Sequence, residues 1–71
     1  DGDITAISKT YDGKTIYLLY NLSETEEKSI TFPAEQYGYT EMAGYLSADG
    51  GEVTLQDDVV IMPSYSVVVL R

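Results

Sequence analysis

Seventy-one residues make one small domain, because a chain of this length buries only about 60% of its unfolded surface and has no material for a second core. Twelve Asp and Glu against four Lys and Arg leave a net charge of −8, which repels nucleic acid and anionic membranes. The absence of Cys and His removes disulfides, thiolate and imidazole chemistry, the usual zinc ligands and the Ser-His-Asp triad. An apolar content of 44% argues against disorder, yet no apolar run approaches the roughly 20 residues of a membrane-spanning helix. A soluble, folded domain without a cofactor is therefore expected. The chain starts at Asp1 with neither Met nor a signal segment, so it is read as a piece of something longer.

Residues 4–10 alternate apolar and polar and predict a first strand, ended by Asp12-Gly13. Asp-Gly between two strand-like runs signals a two-residue hairpin, since a type I′ turn needs positive φ at both positions. Residues 15–22 form the second strand, apolar on both faces. The charged stretch 23–28 is a solvated turn, and residues 29–32 return the chain with Ile30 and Phe32 inward. Pro33 ends that ladder, having no N–H to donate, and residues 34–39 read as a loop. Residues 40–47 suit a strand near an edge, closed by the turn Asp49-Gly50-Gly51. A short strand with Val53 and Leu55, another over 59–62 and a last one over 65–70 complete about seven strands. This is an all-β, antiparallel two-sheet β-sandwich.

Three segments carry more apolar bulk than such a sandwich hides: Ile16-Tyr17-Leu18-Leu19-Tyr20, Val59-Val60-Ile61-Met62 and Val67-Val68-Val69-Leu70. In an antiparallel sandwich each strand normally has one core face and one wet face, so a doubly apolar strand points to a contact surface. Tyr17, Leu19, Val68 and Leu70 are assigned to that outward surface. Ile16, Leu18, Tyr20, Ile30, Phe32, Val67 and Val69 are assigned to the core. A one-residue slip would exchange the two sets.

The order Ile16-Tyr17-Leu18-Leu19-Tyr20-Asn21-Leu22-Ser23, Ser29-Ile30-Thr31-Phe32-Pro33, Gly44-Tyr45-Leu46, Val53-Thr54-Leu55-Gln56-Asp57 and the closing Pro63-Ser64-Tyr65-Ser66-Val67-Val68-Val69-Leu70 resembles the C-terminal β-sandwich of α-amylase-type glycoside hydrolases. The likeness covers nearly the whole chain. It implies an upstream catalytic barrel in the same chain, acting on α-glucan, on which the sandwich packs. Tyr17, Leu19, Val68 and Leu70 would then be the interface. Amylase, neopullulanase and pullulanase members fit equally. No catalytic motif of that family matches a position here, so no catalytic residue is assigned. Two other readings stay open: a module binding starch-like glucans, and an immunoglobulin-like spacer of a surface protein. Location is left open, with an extracellular or cell-surface setting preferred to a cytoplasmic one.

For sugar contact the candidates are Tyr37, Tyr39 and Tyr45, whose rings could stack on pyranose faces. The adjacent carboxylates Asp57-Asp58 and Glu26-Glu27 lie in turns, or point to opposite faces, and are not set to flank a glycosidic bond. Asp1-Gly2-Asp3 and Asp49-Gly50-Gly51-Glu52 lack the ligand spacing of a calcium loop and read as solvated turns, leaving no metal site assigned. Asn21-Leu22-Ser23 fits the N-glycosylation pattern, but an Asn at a strand end more often satisfies a neighbouring turn.

Overall fold

Asp12 and Gly13 adopt φ of 54° and 79°, the positive pair that a type I′ turn requires, and the chain folds back there as expected. In the computed structural model, which describes residues 2–71, this hairpin joins β1 (Ile4–Tyr11) to β2 (Lys14–Asn21). There follow β3 (Lys28–Thr31), a one-turn helix α1 (Ala34–Tyr37), β4 (Met42–Ser47), β5 (Thr54–Gln56), β6 (Val59–Met62) and β7 (Ser66–Leu70). Every pairing is antiparallel, in a four-stranded sheet of order β1-β2-β7-β4 and a three-stranded sheet of order β3-β6-β5. The protein is an all-β, two-sheet sandwich. Only α1 is absent from the sequence expectation: Pro33 supplies a helix-compatible φ of −61° before it, and Gly38, at φ 81°, stops it with its N–H on the Ala34 carbonyl.

The core lies where the inward rows of β2 and β7 meet β6. Leu19, Val68 and Leu70 have no exposed surface, nor do Val60 and Met62, and Phe32, Tyr39 and Val53 close the cluster. Ile30 packs against it from β3, as expected. The face assignment of β2 and β7 is reversed, however. Leu19, Val68 and Leu70 are core, and Tyr17 is half-buried between the layers with its ring 5.4 Å edge-on from Phe32. The expected core residues Ile16, Leu18, Tyr20, Val67 and Val69 instead form the outer face of the four-stranded sheet, half-buried.

Apolar periodicity cannot choose between two equally apolar rows, and what decides lies at the end of one of them. Asn21 continues the row of Tyr17 and Leu19, and pairs with Ser66, which continues that of Val68 and Leu70. Both are buried, so each needs hydrogen-bond partners away from water. Those partners are the carbonyls of Met62 and Pro63, at the end of the opposite sheet. Turning this row outward would strip those carbonyls of their donors.

The three-stranded sheet is too narrow to cover β1. Its residues from Thr5 to Tyr11 are all exposed, and on the inward side of the hairpin Ser8, Thr10 and Thr15 replace apolar residues. Thr10 and Thr15 join through their hydroxyls at 3.0 Å.

The exchange of faces predicts a ranking. Leu19→Ala should destabilise the domain by about 2–5 kcal/mol and Leu18→Ala by about 1 kcal/mol or less, because only the first opens a cavity in the core. Urea melts of the two variants measure this, and equal losses would overturn the face assignment.

Candidate functional site

The outward positions at the centre of the four-stranded sheet are apolar: Ile7 from β1, Ile16, Leu18 and Tyr20 from β2, Val67 and Val69 from β7, and Leu46 from β4, with Thr5, Lys9, Tyr11 and Lys14 around them. Leu46 is 74% exposed and Ile7 41%. The three-stranded sheet shows the opposite habit, with Ser29, Thr31, Thr54 and Gln56 surrounding Val59 and Ile61. One side of the sandwich is thus dressed for water and the other is not.

At one end this apolar face opens into a groove of about 540 Å³ lined by Tyr20, Leu22, Leu46, Ala48, Tyr65 and Val67. Tyr65 holds φ at 47°, a left-handed conformation a tyrosine rarely adopts. It is kept there because its N–H donates to the Ser23 carbonyl at 2.7 Å while its own carbonyl accepts from the Ala48 N–H at 3.1 Å. Tyr65 stays 54% exposed and lines the groove. The serine hydroxyls of the groove are already engaged, Ser47 donating to the Gly51 carbonyl at 2.6 Å and Ser66 to that of Pro63 at 2.7 Å, while the phenols of Tyr20 and Tyr65 also line it. The groove therefore offers shape and apolar contact, with few polar groups to orient a sugar.

Charge is sorted along the same face. No carboxylate occupies an outward position of its four strands, whose charged members are Lys9 and Lys14 at the hairpin end. Neither lysine has an ion pair among the described residues. Arg71, just beyond β7, is bound to Glu41 at 2.7 Å, and Asp12 sits in the hairpin turn. Glu24 and Asp49 stand at the opposite end, beside Tyr65.

The expected sugar platform does not assemble. Tyr39 is buried, donating its hydroxyl to the Phe32 carbonyl at 2.6 Å. Tyr37 stacks flat on Phe32 with ring centres 4.0 Å apart, and its carbonyl accepts from the Tyr17 hydroxyl. Tyr45 lies on the edge strand β4 outside this aromatic cluster. Core packing has claimed the Tyr39 ring that the loop placement assigned to a ligand, while Tyr37 stays 37% exposed over Phe32.

The remaining polar candidates are structural. The Asn21 carboxamide donates to the carbonyls of Glu26, Met62 and Pro63 at 2.9, 3.2 and 3.0 Å and accepts from the Ser23 N–H at 3.0 Å. A side chain so enclosed is no glycan acceptor, and it satisfies turns on both sides of the sandwich, as expected of an Asn at a strand end. Asp49 accepts from the Gly51 N–H at 2.7 Å and the Ser64 hydroxyl at 3.4 Å. No group of three or more acidic side chains converges among the described residues, and Asp1 of the other acidic turn lies outside them. The pairs Asp57-Asp58 and Glu26-Glu27 are exposed in connections. The groove and the charge sorting were not read from sequence. Their signal is Tyr65 beside Leu22 and Leu46, which becomes visible only once β2, β4 and β7 are known neighbours.

Comparisons with protein-family models, with curated proteins and with solved structures return no match to this chain.

Two outcomes follow from these contacts. Asn21→Ala should destabilise the domain by about 3 kcal/mol, since the Glu26 and Met62 carbonyls lose this donor and the Pro63 carbonyl keeps only that of Ser66, and thermal melts would show it. A loss under about 1 kcal/mol would remove the clamp from the account. Burial, and then the Asp58 carboxylate, hold the Tyr39 hydroxyl above its ordinary pKa of 10.0. The unfolded chain therefore ionises this group first, and the stability it contributes is present below pH 10 and lost as pH rises further. Tyr39→Phe should flatten that part of the alkaline unfolding curve, and in wild type one of the seven tyrosines should titrate last by absorbance near 295 nm.

Proposed function

We propose that this chain is a non-catalytic docking sandwich that packs on a larger catalytic body and stabilises it. The reading rests on one observation: the outer face of β1, β2, β7 and β4 is apolar at its centre, while on the outer face of the other sheet polar residues surround Val59 and Ile61. An unpaired aliphatic sheet costs solubility in a lone domain and is stabilised when covered. The resemblance to the C-terminal sandwich of α-amylase-type glycoside hydrolases names the covering body, an upstream barrel that cleaves α-glucan. The two pieces that carry that resemblance best, Asn21-Leu22-Ser23 and Pro63-Ser64-Tyr65-Ser66, meet around the Asn21 carboxamide, which supports reading them as a structural signature of one sandwich type. On this reading no residue of the chain does chemistry. Its contribution is apolar area presented on a rigid sheet.

In a full-length protein carrying the sandwich, Val69→Lys should lower the melting temperature of the catalytic body by several degrees, roughly 2–4 °C per kcal/mol of docking energy lost. The isolated sandwich should lose no more than about 1 kcal/mol, because Val69 is half-buried on the outer face and its replacement opens no cavity in the core. A catalytic body whose melting is unchanged by Val69→Lys would overturn the docking role.

A further inference from the structure

The sorting of charge along the docking face specifies more than that something apolar covers it. The chain as a whole is strongly acidic, so a partner chosen by overall attraction would be basic. The face itself says otherwise: its outward strand positions hold two lysines and no carboxylate, and the lysines are without an ion pair among the described residues. Covering an unpaired lysine without a counter-charge is costly, and supplying a carboxylate removes that cost. From Lys14 to Tyr20 the strand runs about 20 Å, at roughly 3.3 Å per residue. Screening at physiological salt acts over about 8 Å, so Glu24 and Asp49 at the groove end do not neutralise the lysine end, where the hairpin sets the single carboxylate of Asp12 against the two lysines.

Resting on the docking reading above, we infer that the covering partner is a protein surface that is apolar at its centre and presents carboxylates to Lys9 and Lys14. The groove at the far end then receives an apolar side chain of that surface between Tyr65 and Leu46, since its lining is mainly apolar and its two serine hydroxyls are already engaged. The two ends of the face differ, so the partner can lie on it in one direction only.

The test uses two 15-residue amphipathic peptides with the same leucine face, one flanked by Glu and the other by Lys, titrated at 0.15 M salt into the 15N-labelled chain. The Glu peptide should shift the amides of Ile16, Leu18 and Val69 together with Lys9 and Lys14, whereas the Lys peptide should spread over the acidic connections. In the double variant Lys9→Glu, Lys14→Glu, both positions being exposed, binding of the Glu peptide should weaken about fivefold with the rest of the spectrum unchanged. If the Lys peptide occupies the sheet at least as tightly, or the double variant binds the Glu peptide equally well, the carboxylate partner is overturned while the docking face stands. If neither peptide touches the sheet, the docking reading itself falls.

Discussion

The Asn21 carboxamide is the contact on which the two layers depend. It sits at the end of β2 in the four-stranded sheet, and its N–H groups reach the carbonyls of Met62 and Pro63 at the end of β6 in the other. The same group gathers the connection from β2 to β3 through the Glu26 carbonyl and the Ser23 N–H. Ser23 then caps the turn, its hydroxyl accepting from the Glu26 N–H at 3.0 Å and its carbonyl from the Tyr65 N–H. A small core, eight buried apolar side chains among the described residues, fixes neither register nor tilt very tightly. One fully satisfied polar node at its end does so, and no buried side-chain nitrogen or oxygen among the described residues is left without a partner.

That node also explains why the sandwich ends up with an oily exterior. Once Asn21 and Ser66 are committed inward, Leu19, Val68 and Leu70 must follow, and the alternate row of Leu18, Tyr20, Val67 and Val69 is left outside. The outer apolar sheet is the direct consequence of satisfying a polar group within. The polar inner side of the distal hairpin, at Ser8, Thr10 and Thr15, marks how far the second layer extends.

The strands were legible from turn chemistry and alternation: Asp12-Gly13, Pro33 and Pro63 punctuate the chain where the sequence says they do. The sidedness was not. When both rows of β2 and β7 are apolar, periodicity is silent, and the deciding partners of Asn21 lie 41 and 42 residues away. The surplus of apolar side chains was legible as a quantity, so a contact face was expected, but the residues named for it were those of the core. Tyr39 illustrates a second limit. A tyrosine after a loop looks available to a ligand, and only its reach to the Phe32 carbonyl shows that it closes the interior. Sorting of charge on the face was hidden too, because it depends on which residues stand across from one another.

Four strands end the two sheets, and they are not equally blunt. β5 is three residues long, β3 stops at Pro33 after four, and β4 carries an irregularity between Met42 and Gly44 that breaks its ladder. β1 alone runs eight residues in unbroken register with its neighbour, leaving its far side without a strand beside it. Lys9 is the one charged residue along that length. β1 is therefore the ledge most open to pairing with a strand of another chain, and Lys9 is the charge that blunts it.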